Sequence, residues 1–304
     1  MKNRHHEPSY LKLHRKGLLL SRVEQCLDLL KDCCLCPRKC HADRLSGELG
    51  VCRTGIRAKV ASFHPHFGEE APLTGSGGSG TIFFSSCNLF CSFCQNSHIS
   101  HLGKGDEVAP DHLAGMMLHL MKLGCHNINL VTPTHVIPQI LQALVLAVEQ
   151  GLNLPLVYNS GGYDLVDTIK MLDGIVDIYM PDFKFWNDEW ANRYCQAPDY
   201  RLHAMAAIRE MHRQVGDLIL DEAEIASRGL LVRHLVMPNC IAGTGEIMTF
   251  LAREVSGNIT VNIMAQYHPC GKADSDPTIN RRITLSEYAA AVQDAVAAGI
   301  HLLE

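Results

Sequence analysis

The chain of 304 residues predicts an α/β fold, with parallel strands joined by helical crossovers and a small cysteine-rich segment ahead of them. Two observations carry this. From Thr81 onward, short β-prone apolar runs alternate with stretches of helical periodicity, the pattern of repeated strand–helix units. Before them, Cys33 to Cys52 lie in a loop-rich stretch punctuated by Gly and Pro, where helix and strand signals both fail. Six such units make three-quarters of a TIM barrel. Periodicity alone equally describes a flat, doubly wound sheet.

Taken in order, residues 18–31 place Leu19, Val23, Leu27 and Leu30 on one face of an amphipathic helix. Cys26 falls inside that helix and reads as packing. Next, Cys33, Cys36, Cys40 and Cys52 form Cys-x2-Cys-x3-Cys-x11-Cys. Four thiols so spaced can close around one metal, and zinc or an iron–sulfur cluster both satisfy their softness and number. Residues 53–80 read as a connector. Gly75, Gly77 and Gly80 match Gly-x-Gly-x-x-Gly there, but the match leads into a strand rather than out of one, so it is no dinucleotide site. Without a following Lys-Ser or Lys-Thr it is no P-loop either. Its glycines suit a tight turn or a close backbone approach. His64 and His66 read as surface or packing histidines.

Six strands are expected, at Thr81–Phe84, Asn127–Val131, Leu154–Tyr158, Val176–Met180, Leu230–Val236 and Ile259–Met264. Between them, Asp111 is positioned to cap a helix ending at Gly124, and His135–Gln150 carries the apolar stripe of another. Helical patterns at Glu189–Cys195 and Leu202–Val215 fill the longest crossover. Thr284 and Glu287 form a capping-box pattern for a last helix running to Ala298.

Composition narrows the function. Hydrophobic residues make up 47% of the chain and charged ones 19%, as in folded globular proteins. A net charge of −5 offers no basic face for phosphates, which argues against a nucleic-acid partner. No apolar stretch approaches the ~20 residues that span a bilayer. The opening MKNRHHEPSY has no signal-peptide core, and the 13 cysteines cluster as metal ligands do rather than as a disulfide framework. These features predict a cytoplasmic, reduced protein without a membrane partner.

The most informative stretch is CNLFCSFCQN, Cys87–Asn96, which sets Cys87, Cys91 and Cys94 at Cys-x3-Cys-x2-Cys straight after the first expected strand. Three soft ligands on one loop suit an iron–sulfur cluster with one iron left open. Polar side chains gather after the other strands: Thr132, Thr134 and His135; Asn159 and Ser160; Asp182 and Lys184; Arg233 and His234; Gln266, Tyr267 and His268. The ends of barrel strands are where reacting groups collect.

This motif, with Phe93 before its last cysteine, resembles the signature of radical S-adenosylmethionine enzymes. The wider word GEEAPLTGSGGSGTIFFSSCNLFCSFCQN is similar to the branch of pyruvate formate-lyase-activating enzymes, and the similarity extends over nearly the whole chain. The resemblance implies a partial TIM-type (β/α)6 barrel over residues 76–304, behind a cysteine-rich segment and connector over 1–75. It implies a [4Fe–4S] cluster on Cys87, Cys91 and Cys94 and S-adenosylmethionine at its open iron. Phe93, Asn96, Asn159, Asp182, Lys184, Arg233 and His268 would then line the cofactor, and the partners would be an electron donor such as flavodoxin or ferredoxin and a glycyl radical enzyme. The second strand departs from the branch, ending in TPTHV rather than Gly-Gly-Glu, which leaves Thr132 or Thr134 as the residue facing the cofactor amine. The alternatives are a radical enzyme acting on a small molecule or another protein, and a non-catalytic metal-binding or electron-transfer protein.

Overall fold

Parallel strands cannot be joined by hairpins, so each pair needs a crossover long enough to bring the chain back. The alternation beginning near residue 80 supplies these crossovers. The structure, a computed structural model, describes residues 7–303; the signal-peptide reading of Met1–His6 lies outside the described residues.

Helices α1 (Ser9–Arg15) and α2 (Leu18–Asp28) lead to the cysteine-rich loop, followed by strand β1 (Ala58–His66), the short helix α3 (Ala71–Thr74) and β2 (Ser79–Phe84). Helix α4 (Ser97–Ser100), β3 (Asp106–Val108) and α5 (Pro110–Lys122) precede β4 (Ile128–Val131). Then come α6 (Ile137–Glu149), β5 (Leu156–Ser160), α7 (Val166–Met171) and β6 (Ile178–Pro181). The long crossover holds α8 (Asp188–Cys195), α9 (Tyr200–Val215) and β7 (Ile219–Leu220) before β8 (Ala226–Leu235). Helix α10 (Thr244–Phe250), β9 (Thr260–Met264), α11 (Leu285–Ala298) and β10 (His301–Leu302) complete the chain.

The strand order is β10-β9-β8-β6-β5-β4-β2-β1-β3, with β7 on the side of β8. All six expected strands are present, and β2, β4, β5, β6, β8 and β9 pair in parallel. The sheet is an open, partial barrel. Strands β5 and β6 are buried along their whole length, as parallel strands covered on both faces must be.

Three local expectations change. Residues 53–80, read as a connector, contain β1, which pairs antiparallel with β2 and extends the sheet. Its sequence hides this because Pro65 breaks the strand pattern. Strand β3 pairs only with Ala58–Val60, so Pro65 stands where β1 has no second neighbour to lose a hydrogen bond to. Asp111 is not the cap of α5: Pro110 starts the helix and Asp111 sits in its first turn, where a carboxylate still favours the helix dipole. The Gly-rich match serves close approach of backbone rather than ligand, since a Cβ on Gly77 would lie 2.1 Å from Gly124 O and one on Gly80 2.5 Å from Asn127 O.

Helix α3 closes the floor of the barrel. Pro72 and Leu73 are buried, and Leu73 packs with Val157, Ile178, Met180, Ala226 and Leu231 in a cluster separate from the main core. The main core lies between the strands and the outer helices. The capping box of Thr284 and Glu287 forms as expected. Cys26 is fully buried beside Met171, a packing residue. His64 and His66 pack against Phe83. No helix among the described residues is long and apolar enough to cross a membrane.

Candidate active site

Strand β2 delivers the chain into the loop carrying Cys87, Cys91 and Cys94, and neighbouring segments clamp that loop from three sides. The N–H groups of Phe90 and Ser92 donate to the carbonyls of Cys195 and Tyr194 at the end of α8. From the segment after β9, Lys272 N–H donates to Ser92 O (2.9 Å) and Cys270 Sγ to Phe93 O (3.0 Å). From the amino-terminal loop, Arg38 donates to Asn88 O (2.9 Å) and Gln196 O (2.5 Å) and lies over the Phe90 and Tyr163 rings.

Each thiol has its own hydrogen-bond partner. Leu89 N–H donates to Cys87 Sγ (3.3 Å), Ser100 Oγ lies 3.1 Å from Cys94 Sγ, and Cys195 Sγ lies 3.3 Å from Cys91 Sγ. The three loop sulfurs are not all within 4.8 Å of one another; the group of ligand atoms that close among the described residues is Asp32, Cys34 and His41. A single tetrahedral ion, with metal–sulfur bonds of about 2.3 Å, needs sulfurs roughly 3.8 Å apart. The loop is too wide for that, and its width and softness fit a cluster with irons at separate corners. Burial pushes the Cys87 and Cys94 thiols up, whereas Cys91 is held down by its bond from Cys195, itself raised by burial.

Beside this loop, the ends of three strands meet in a largely enclosed ionic cluster whose charged side chains keep 14–17% of their surface exposed. Lys184 Nζ donates to Asp182 Oδ2 (2.5 Å), Arg233 Nε to Asp182 Oδ1 (2.9 Å) and Arg233 Nη2 to Asn159 Oδ1 (2.8 Å). Burial works against the charge on Lys184, but Asp182 and Cys91 outweigh it and hold its pKa well above the usual range. Burial likewise opposes the Asp182 carboxylate, and Arg233 and Lys184 overcome it, holding its pKa down. The Lys184 ammonium also acts on Cys87, Cys91 and Cys94. A cation next to three thiols, with a paired carboxylate behind it, is suited to receive a carboxylate ligand.

The remaining expected residues divide. Phe93 is buried with its ring edge-on to Phe185 and Tyr267, centroids 6.0 and 6.1 Å away. His268 Nδ1 lies 3.4 Å from Gln95 Nε2, which puts it against the Cys87–Asn96 loop. Thr132 sits at the end of β4 with φ of 61°, a left-handed conformation that is strained for a β-branched residue. Thr134 lies elsewhere: it donates to Asp164 Oδ1 (2.7 Å) and receives Tyr158 OH (3.3 Å). Asn96 is exposed, with its carbonyl bonded to the Ile99 and Ser100 N–H groups. His234 is fully buried with both ring nitrogens engaged, by Phe183 O (2.8 Å) and Thr244 Oγ1 (2.9 Å).

Two acidic residues at this site were not expected. Glu69 and Glu70, at the start of α3, point up into the barrel: Glu69 Oε2 accepts from Asn129 and Asn159, and Glu70 Oε1 from Asn262. Arg233 Nη1 lies 3.6 Å from Glu69 and 3.8 Å from Glu70. Their adjacency in the word GEEAPLTG, among small and apolar residues, was the available signal.

The open, partial barrel is similar in fold to a solved radical S-adenosylmethionine enzyme. A radical SAM methyltransferase from Sphaerobacter thermophilus superposes with a TM-score of 0.50 at 16% identity, over 73% of this chain and 64% of its own. SuiB of Streptococcus suis, bound to its precursor peptide SuiA, gives a TM-score of 0.49 at 10% identity, over 71% and 46%. The chain thus spans less than two-thirds of either solved structure. In sequence it is 33% identical over 290 residues to the uncharacterized protein MJ0674 of Methanocaldococcus jannaschii, covering 92% of this chain and 78% of that one, and it belongs to the same family as that protein. No family model matches it.

Proposed function

We propose that this protein is a radical S-adenosylmethionine enzyme. The observation that carries the reading is the meeting of a wide three-thiol loop with the Lys184–Asp182–Arg233 cluster at the neighbouring strand ends. A [4Fe–4S] cluster held there would supply the one-electron reductive cleavage of bound S-adenosylmethionine, the chemistry by which such a centre initiates hydrogen abstraction from a substrate. Cys87, Cys91 and Cys94 hold the iron. Lys184 takes the cofactor carboxylate, with Asp182, Arg233 and Asn159 fixing its direction. By the resemblance, Thr132 or Thr134 would meet the cofactor amine, Phe93 the adenine, and His268 and Asn96 the adenosyl side. The apolar barrel wall excludes water and other quenchers. Residues 76–304 would carry the thiols and the strand-end cluster, and the amino-terminal segment 1–75 would complete the barrel with β1, Glu69, Glu70 and α3. The likeness of the quoted words to activating enzymes favours hydrogen abstraction from a glycine of a partner protein, with flavodoxin or ferredoxin as electron donor.

A non-catalytic cluster would need a fourth protein ligand. The nearest further thiol, Cys195, is 3.3 Å from Cys91 Sγ. Thiolates on separate corners of a cube lie farther apart than that, so Cys195 suits a hydrogen bond to Cys91 better than an iron of its own.

Anaerobic reconstitution, dithionite reduction and chromatography for 5′-deoxyadenosine test the reading. We expect product from the unsubstituted chain and none from Cys91→Ala; equal traces from both would reject it. Incubation with a candidate glycyl radical partner should give a carbon-centred glycine signal in paramagnetic resonance. If 5′-deoxyadenosine forms while every candidate stays silent, the substrate is a small molecule or another protein.

A further inference from the structure

The cysteine-rich loop at the amino-terminal side gathers four thiols. Cys33, Cys36, Cys40 and Cys52 line one largely enclosed cavity together with Arg44 and His135. The loop is pinned around it by Cys33 N–H to Ala42 O, His41 N–H to Cys33 O and Lys39 N–H to Cys36 O. Three residues beside these cysteines, Lys39, His41 and Arg53, have positive φ of 40°, 55° and 53°. Left-handed backbone at non-glycine residues costs of order 1–3 kcal/mol each and persists where function requires it. Gly50 presses against Cys40, where a Cβ would lie 2.8 Å from its sulfur.

Two features point to a bound group. The first is His135, fully buried, whose Nε2 lies 2.8 Å from the Ser85 carbonyl oxygen. A carbonyl only accepts, so Nε2 carries the proton and Nδ1 presents a lone pair. That buried Nδ1 has no hydrogen-bond partner, a cost of about 1–3 kcal/mol that a metal centre or its ligands in the cavity would relieve. The second is a set of N–H groups facing sulfur: Val51 N–H to Cys40 Sγ (3.2 Å) and Arg44 Nη1 to Cys33 Sγ (3.9 Å). Such donors set the properties of thiolate-bound clusters.

The spacing of the sulfurs then selects the group. Thiolates favour zinc or an iron–sulfur cluster. Four sulfurs around one zinc stand roughly 3.8 Å apart, from zinc–sulfur bonds of about 2.3 Å. No three of these four sulfurs lie within 4.8 Å of one another, the same openness found for Cys87, Cys91 and Cys94.

We propose that Cys33, Cys36, Cys40 and Cys52 hold a [4Fe–4S] cluster rather than zinc, one layer of side chains away from the Cys87 loop. That layer is continuous. Arg38, between Cys36 and Cys40, donates to Asn88 O next to Cys87. Arg44 donates to His135 O, and His135 to Ser85 O at the head of the same loop. Four thiol ligands fill the four corners of the cube, so this centre has no open iron and serves as a one-electron site, loaded by a reduced flavodoxin- or ferredoxin-class donor.

The proposal does not depend on cofactor cleavage and is tested without it. In the full chain carrying Cys87→Ala, Cys91→Ala and Cys94→Ala, purified without oxygen, we expect about four iron and four sulfide per chain and a paramagnetic signal after dithionite. Adding Cys36→Ala and Cys52→Ala should abolish both. The unsubstituted chain gives an independent count by Mössbauer spectroscopy, with about eight cluster irons expected. About one zinc per chain that is lost with Cys36→Ala, or no cluster iron in the chain carrying Cys87→Ala, Cys91→Ala and Cys94→Ala, overturns the proposal, whereas about four irons in the unsubstituted chain that persist in that variant would count against a cluster on the Cys87 loop instead.

Discussion

Three different donors face the three loop thiols: an amide at Cys87, a thiol at Cys91 and a hydroxyl at Cys94. A hydrogen bond to a cluster sulfur stabilises the reduced state, which carries the extra negative charge, and so raises the reduction potential. Cys195 contributes such a bond from full burial, where little water is present to replace it. Its replacement by Ala should lower the midpoint of the cluster proposed for the Cys87 loop by roughly 40 mV, the one-electron equivalent of about 1 kcal/mol. Cys195→Ser should restore most of it. A paramagnetic-resonance redox titration reads both, and an unchanged midpoint in Cys195→Ala with the cluster intact would remove Cys195 from this role. Cys195 was not legible as part of the site, because it closes α8 and bears no spacing relation to Cys91. The trio itself was legible as a motif, and Asn159, Asp182, Lys184 and Arg233 as polar residues that strand ends would otherwise not need. Glu69 and Glu70 escaped because no periodicity announces that two adjacent carboxylates will turn inward onto Arg233. Thr134 drew attention as a polar strand-end residue, but its hydroxyl is engaged with Asp164 and Tyr158.

The element that closes the barrel floor is α3, a single turn whose Leu73 is completely buried. Its partners Val157, Ile178, Met180, Ala226 and Leu231 come from three different strands, so the cavity left by truncation has little freedom to collapse. Leu73→Ala should cost about 3 kcal/mol in urea unfolding. Thr284→Ala at the exposed cap of α11 should cost only about 1 kcal/mol. A Leu73→Ala loss no larger than that of Thr284→Ala would show that the floor is not a packed layer. The repeating strand–helix units were readable because each has its own period and punctuation. Strand β1 was not, since Pro65 and two histidines replace the alternation that announces a strand, and its place is fixed by pairing with β2 rather than by local preference. The boundaries moved by a few residues for a related reason: where a strand stops depends on how far its neighbours extend, as β8 shows by reaching back to Ala226 to pair with β7.

Across the whole molecule, buried ionisable groups tie stability to pH in opposing directions. His234 is enclosed, and burial lowers its pKa to about 4 from the 6.5 of an open histidine. The folded state thus resists a proton that the unfolded chain accepts. Its contribution is complete above pH 6.5 and is lost as pH falls toward about 4, so stability rises with pH through that window. Asp182, lowered in the folded state by Arg233 and Lys184 against its burial, acts in the same sense: its stabilisation is present above the unfolded carboxylate pKa and lost as acid titrates it. Glu69 and Asp164 are raised by burial and pull the other way, costing stability as pH rises through their titration. A pH profile of the unsubstituted chain alone would mix these terms, whereas a difference against one substitution isolates His234. Between pH 7 and pH 5 the histidine should account for a loss of about 2 kcal/mol. In His234→Gln, whose amide can still bond Phe183 O or Thr244 Oγ1 but does not titrate, unfolding free energy should fall by about 2 kcal/mol less over the same interval. Urea melts of both proteins at the two pH values measure it. Parallel losses in the two would mean that His234 takes up its proton without opening the core, and that the acid sensitivity of this barrel resides in its carboxylates.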